Sequence, residues 1–345
     1  MTVLIPAYNL SQYLPETLNS VLAQSYENVF EIIVWDDGST DDTHEIAIQW
    51  SRRYPKISVR HHENQGRAIT RQSLLDSAQT EVVGWIDADD LAVPTWLEEQ
   101  VGLLIRDDET AAASGQGYAM TATGEPIGPI AHPLEHEAIH ERHLNGQANA
   151  FFQSCVVARK SMMVEAGGYN MEFPAAEDFD MWHRLSSVGK LTNSPQVHLL
   201  YRVHPSSANF VLRDEQQRQG SVITNRYRAQ AGLPNLPDLG QESMLPPKRD
   251  DWNRKIYWIN IALQNGNPAT ASQLVFAAIA RHPWSLLFWI LLLVSSIDRL
   301  LFGGNRTSKF VPGEMPVLGE LPWFSAFRLG RRAFRSLRRI RRGVA

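Results

Sequence analysis

The chain has 345 residues, 43 % hydrophobic and 20 % charged, an ordinary globular composition with room for one large domain or two smaller ones. Its single cysteine, Cys155, excludes an intrachain disulfide and a thiolate zinc cluster, and fits a reducing cytoplasm. The formal net charge of −4 conceals eight arginines and no acid over residues 328–345, which leaves 25 basic against 37 acidic residues, or −12, elsewhere; so acidic a body argues against a nucleic-acid-binding core.

Val3-Leu4-Ile5 reads as a strand, and no basic and apolar leader precedes it, so no signal peptide is expected. Glu31–Trp35, Ile57–Arg60 and Glu81–Ile86 also read as strands, and residues 11–24, 41–53, 66–78 and 94–105 as helices. This alternation predicts an α/β fold, Rossmann-like, with a mostly parallel sheet and flanking helices. Ligands of such sheets bind beyond the carboxyl ends of the strands. Three polar clusters fall there: Pro6-Ala7-Tyr8-Asn9, Asp36-Asp37-Gly38-Ser39 and Asp87-Ala88-Asp89-Asp90.

Residues 111–215 are less regular. Gly167-Gly168 ends a helix that begins near Ser161, Glu177–Val188 reads as a helix, and Val197–Tyr201 as a strand. Gly232, Pro234, Pro237, Gly240, Pro246 and Pro247 mark a linker, placed at 216–250. Residues 251–281 read as two helices around Asn265-Gly266-Asn267-Pro268, one tetratricopeptide-like unit without a second copy. The expected organisation is a domain over 1–215 with halves 1–110 and 111–215, the linker, and a C-terminal α-helical region over 251–345.

That last region holds an apolar segment, 284–297, and a basic tail, 324–345. Pro283–Ile297 lacks any charge, but it falls short of the ~20 residues needed to cross a bilayer upright. It suits an interfacial, re-entrant or buried helix. In the tail, Phe327, Phe334, Leu337, Ile340 and Val344 recur among the arginines as in a basic amphipathic helix. An anionic membrane surface is the expected partner; a solvated arginine-rich end is the alternative.

The chemistry concentrates in the acidic runs. Three carboxylates in four residues cannot sit unpaired in a core. On a turn they suit a hard divalent cation that also takes phosphate oxygens, or simply an acidic surface turn. Glu177-Asp178 opens a helix, where an acid either favours the macrodipole or serves as a base.

Taken in order, Val3–Asn9, Ser20–Tyr26, Glu31–Asp41, Asn64-Gln65-Gly66, Arg71, Asp87–Asp90, Gly167-Gly168-Tyr169, Glu177–Trp182 and Tyr201-Arg202-Val203-His204 resemble a family-2 glycosyltransferase over residues 2–210. The resemblance implies a GT-A fold, a nucleotide-diphosphate sugar donor such as a UDP-sugar, Mn²⁺ or Mg²⁺, and inversion at the anomeric carbon. It also implies a glycan or lipid-linked acceptor in cell-surface polysaccharide synthesis; with the apolar segment and basic tail, the expected location is peripheral, on the inner face of the plasma membrane.

By the same resemblance Asp37 contacts the nucleoside, with Pro6 and Tyr8 lining the base pocket, and Arg71 anchors the phosphates through its guanidinium fork. Asp87 and Asp89 are the metal pair, and Asp90 binds sugar hydroxyls or positions Asp89. His204 either completes the metal or diphosphate site or is structural. Asp178 is the general base, with Glu177 beside it at the acceptor edge, and Trp182 either stacks on the acceptor or packs in the core. Gln72 departs from the asparagine more common after this arginine. Two rivals are a nucleotidyltransferase, disfavoured by the lack of a glycine-rich phosphate loop, and a catalytically inactive glycan-binding or scaffold homologue.

Overall fold

The structure, a computed structural model, describes residues 1–236 and 250–281. Its first half runs β1 (Thr2–Ala7), α1 (Leu14–Leu22), β2 (Glu31–Asp36), α2 (Thr43–Arg53), β3 (Ile57–His61), α3 (Arg67–Ser77), β4 (Val82–Trp85), β5 (Leu91–Ala92) and α4 (Trp96–Arg106). β6 (Thr110–Thr121), β7 (Pro126–Ile130), α5 (His136–Leu144), β8 (Val156–Arg159), α6 (Lys160–Glu165), α7 (Glu177–Leu185) and β9 (Lys190–Val203) follow. The rest is helical: α8 (Ala208–Val211), α9 (Arg213–Gln230), α10 (Asp250–Gln264) and α11 (Pro268–Arg281).

One nine-stranded sheet has the order β3-β2-β1-β4-β8-β6-β9-β5, with β7 paired to β6. β3, β2, β1 and β4 are parallel, as expected from the βα alternation. β8 then pairs antiparallel to both β4 and β6, so the sheet as a whole is mixed.

Both faces of the parallel part are covered, and side-chain alternation decides which residue faces which layer. Val3, Ile5, Ile32 and Val34 pack with Leu14, Leu18, Trp96 and Leu97 from α1 and α4. Leu4, Ile33, Val83 and Trp85 point the other way, onto Leu74 and Leu75 of α3 and Met181 and Trp182 of α7. Each buried aliphatic side chain contributes about 1.5–3 kcal/mol of transfer free energy.

The long central pair β6 and β9 was legible only in part. β6 is half Ala and Gly, residues with little strand propensity. They are needed because neighbours approach closely: a Cβ at Gly117 would meet the Phe152 ring at 2.8 Å. β9 carries Pro195 within the strand, where its register against β6 shifts.

The 216–250 linker is corrected in its first half, where α9 continues to Gln230. Its mean hydropathy is low, so it resembles a linker in sequence. It is held instead by Ile223, buried with Phe173, Ala176 and Phe179, and by Gln219 Oε1, which accepts the Ala175 N–H at 2.9 Å. Residues 237–249 of that linker lie outside the described residues. The expected hairpin forms as α10 and α11 and packs on β7, with Gly128 set close against Ile261 and Asn265. The apolar segment 284–297 and the tail 324–345 lie outside the described residues. Among the described residues, no helix is long and apolar enough to cross a membrane.

Candidate active site

The three polar clusters meet at the carboxyl ends of β1, β2 and β4, because the parallel register sets those ends side by side. Beyond β1, Tyr8 is 46 % exposed. Asn9 follows with φ +54 and fastens the chain to the next loop: its N–H donates to Ser39 Oγ at 2.9 Å, and its Oδ1 accepts the Thr40 N–H at 2.8 Å. Gly38 has φ +71 and lies so close to the Asn64 backbone that no Cβ would fit.

Asp37 is buried, and its two carboxylate oxygens accept the N–H groups of Gln65 at 2.8 Å and Gly66 at 3.0 Å. It ties the exit of β2 to the loop before α3. In the structure Asp37 thus shapes the loop before α3. Asp36 orients the same turn, with Oδ1 accepting the Ser39 N–H at 3.3 Å.

After β4, Asp87 Oδ1 accepts from Arg71 Nη2 at 2.8 Å. Arg71 is itself buried, and its Nε lies 3.1 Å from Glu177 Oε1. Arg67 holds the other side of Glu177, donating from Nη2 to Oε2 and to the Ala175 carbonyl, each at 3.0 Å. Burial opposes the Arg71 charge, but Asp87 and Glu177 hold its pKa above the ordinary value. Glu177 is pushed up by burial, with Arg67 and Arg71 pulling the other way.

Asp89 Oδ2 lies 2.8 Å from His204 Nε2, and His204 Nδ1 lies 2.9 Å from Ser206 Oγ. Asp90 is buried, and its Oδ1 accepts the Arg202 N–H at 2.9 Å. Its carbonyl and that of Ala88 both accept from Thr17 Oγ1, at 2.8 and 2.9 Å. Burial pushes Asp90 well up, and the charges of Asp89 and Asp87 add to it. Asp87 is raised by burial too, opposed by Arg71 and reinforced by Asp89.

Arg67, Arg71, Asp87, Asp89, Asp90 and Asp178 line one cavity of about 360 Å³. Its other walls come from the irregular second half and from α10, including His132, Phe152, Gln153, Asn209, Trp258 and Ile261. Asp178 is half-buried in the first turn of α7, and its Oδ1 accepts the Phe179 N–H at 2.8 Å. Pro6, Tyr8, Asp37, Glu177 and His204 are not among the lining residues of this cavity.

One alternative is narrowed and one expectation is corrected. Trp182 borders the cavity but is 1 % exposed and meets Phe151 edge-on, ring centroids 5.0 Å apart, so of its two expected roles the core one is what the packing favours. Glu177 is wholly buried between Arg67 and Arg71, so it braces the site and does not reach an acceptor.

The sequence reading missed Arg67 and Ser154. Arg67 stands four residues before Arg71, hence on the same helix face, and that spacing was a readable signal. Ser154 Oγ accepts the Asp87 N–H at 3.1 Å and also bonds the Asp90 carboxylate. It precedes Cys155, which takes φ +56, unusual for a residue with a Cβ. Gln100 bridges that strained turn to β8 through the Cys155 carbonyl and the Val157 N–H, both at 2.9 Å. No local sequence signal marks such a contact between distant segments.

Asp87, Asp89 and Asp90 offer carboxylate oxygens of the kind a hard divalent cation takes. They crowd negative charge that Arg71 meets from one side; burial raises Asp87 and Asp90, and Asp89 adds to both. Carboxylate oxygens suit Mn²⁺ or Mg²⁺.

Residues 2–163 match the family model described as "Glycosyl transferase family 2". An "Uncharacterized glycosyltransferase" of Haemophilus influenzae is 29 % identical over 65 % of this chain and 71 % of its own length. The Escherichia coli "UDP-Glc:alpha-D-GlcNAc-diphosphoundecaprenol beta-1,3-glucosyltransferase WfaP" is 29 % identical over 65 % of this chain and 85 % of its own. The solved "Mannosyltransferase PcManGT from Pyrobaculum calidifontis in complex with GDP-Man and Mn2+" superposes with a TM-score of 0.52 at 19 % identity, covering 87 % of this chain and 80 % of that one, and shares the GT-A fold. Residues 2–163, a little under half of this chain, are thus similar to glycosyltransferase family 2.

Proposed function

We propose that this protein is an inverting, metal-dependent glycosyltransferase that moves one sugar from a UDP-sugar to a glycan or lipid-linked acceptor in bacterial cell-surface polysaccharide synthesis. The observation that carries the reading is the common cavity of Asp87, Asp89, Asp90, Arg71 and Asp178. Around one space lie three carboxylates after β4, a buried guanidinium paired with Asp87 and Glu177, and a half-exposed carboxylate. The named activity of WfaP supports a UDP-sugar donor and a diphosphate-lipid acceptor.

In this reading Tyr8 stacks on the base, and Asp37 shapes its pocket by holding the Gln65-Gly66 turn. Asp87 and Asp89, with His204, would hold Mn²⁺ or Mg²⁺, which when bound neutralises charge on the departing diphosphate. Asp178 takes the proton from the acceptor hydroxyl as that oxygen attacks the anomeric carbon opposite the leaving group. Arg67 and Arg71 keep Asp87 and the start of α7 in place. The arginine-rich tail read from the sequence would place the enzyme on the inner membrane face.

Calorimetric titration with UDP tests the donor half of the proposal. Tight binding is expected with Mn²⁺ or Mg²⁺, and little in excess chelator or in Asp89→Asn. Equal affinity with and without metal overturns the metal-dependent reading. A screen of nucleotide sugars that follows diphosphate release then identifies the donor.

A further inference from the structure

Asp36, His44 and His61 form a second cluster with ligand geometry, away from the carboxylate run. Asp36 ends β2, His61 ends β3, and His44 lies in the first turn of α2. Parallel pairing sets Asp36 opposite His61, and α2 brings His44 back over both. Among the described residues this is the group of three whose ligand atoms all lie within 4.8 Å of one another.

Both imidazoles turn Nδ1 toward one carboxylate oxygen. His61 Nδ1 lies 2.7 Å from Asp36 Oδ2, and His44 Nδ1 lies 3.5 Å from the same atom. The second distance is too long for a hydrogen bond, and His44 Nδ1 is buried without any hydrogen-bond partner. A buried polar atom with no partner needs an explanation. The two rings are 4.7 Å apart. Two imidazoles converging on one carboxylate, one of them unsatisfied, are what a bound ion would organise.

We propose that Asp36 Oδ2, His44 Nδ1 and His61 Nδ1 bind a borderline transition-metal ion, Zn²⁺ in the first instance, with water as the fourth ligand. Zinc takes nitrogen at about 2.0–2.1 Å and carboxylate oxygen at about 2.0–2.2 Å in a tetrahedron, which spaces ligand atoms by about 3.3 Å. The distances of 2.7 and 3.5 Å bracket that spacing. The His61 and His44 side chains are 47 % and 33 % exposed, so both can adjust and the ion can enter, while Asp36 is buried and fixed. Its other oxygen accepts the Ser39 N–H, which orients the carboxylate from behind. Imidazole donors select zinc-like ions over Mg²⁺, so this site and the carboxylate run differ in preference. Asp36 opens the Asp36–Thr40 turn that Asn9 also grips, so an ion here would stiffen the base-side loop.

The test uses the full-length chain stripped of metal, with Zn²⁺ titrated against a chromophoric chelator and Co²⁺ substitution read by its visible absorption. The expected result is one Zn²⁺ per chain that survives Asp89→Asn and gives a tetrahedral cobalt spectrum. His61→Ala and His44→Ala should each weaken Zn²⁺ binding about 10-fold or more and abolish that spectrum. The thermal midpoint should rise with Zn²⁺ in the unmodified protein and in neither variant. His136 and His140, stacked 6.0 Å apart on α5, are a rival surface pair, and His140→Ala should leave the spectrum intact. Unchanged Zn²⁺ affinity in both His61→Ala and His44→Ala, or loss of the spectrum in His140→Ala or Asp89→Asn, overturns the proposal.

Discussion

Arg71 joins Asp87 to Glu177, its Nη2 2.8 Å from Asp87 Oδ1 and its Nε 3.1 Å from Glu177 Oε1. One buried guanidinium thus links the carboxylate turn after β4 to the first turn of α7, where Asp178 sits. The rigidity of its planar fork fixes the distance between the two segments, which a lysine with one point charge would not do.

Removing that link should be expensive. Arg71→Ala leaves Asp87 without its cation and Glu177 with Arg67 alone, and breaking a buried pair from one side costs about 3–5 kcal/mol. Denaturant unfolding should show a loss of that order. Arg71→Lys should recover only part of it. A loss below about 1 kcal/mol, the range of a surface ion pair, would show that the link carries little.

Asp178 and its neighbour should separate chemistry from stability. Asp178→Asn should lower kcat by about 10²- to 10⁴-fold with little change in UDP affinity or unfolding midpoint. Glu177→Gln should do the reverse, because it leaves Arg67 and Arg71 short of a buried counter-charge: the midpoint falls first, and activity follows folding. Near-normal transfer by Asp178→Asn would move the base elsewhere.

Stability should fall in mild acid through His143 and His183. Both are buried, with rings 5.2 Å apart, and neither ring nitrogen of His143 has a hydrogen-bond partner. Burial, with His183 and His140 adding to it, holds His143 well below the ordinary histidine value; burial lowers His183 to about 3. Above about pH 6.5, the unfolded value, both states are neutral and their contribution is complete. Below it the unfolded chain takes up protons that the native chain refuses, so stability falls by up to about 1.4 kcal/mol per pH unit for each histidine. His143→Leu should flatten the loss between about pH 6 and 4.5, as unfolding free energies across that range would report.

The C-terminal region should set membrane affinity. Each arginine near an anionic surface contributes about 1 kcal/mol, and residues 328–345 hold eight. Full-length protein should bind anionic vesicles and lose binding steeply with added salt, whereas a chain ending at residue 281 should not sediment with them. Equal sedimentation of the two would refute the membrane role of this region.

Local chemistry made the first half of the protein readable from its sequence. Strands such as Val3–Ile5 and Glu31–Trp35, alternating with amphipathic helices, specify a parallel sheet, and its carboxyl ends bring the Asp37 and Asp87–Asp90 turns to one edge. Tertiary structure decided what local pattern does not encode. β6 forms from weak strand residues because Gly117 must pass Phe152, and α9 forms from a polar stretch because Ile223 finds a pocket on α7. Site roles divided the same way. The acid at 178 and the acidic run at 87–90 were visible as residue types, and core packing of Trp182 was one of two open readings, but Glu177 as a brace and Arg67 as its support were not visible. Each of those depends on which distant segment packs against it, and a linear pattern does not contain burial or pairing between segments a hundred residues apart.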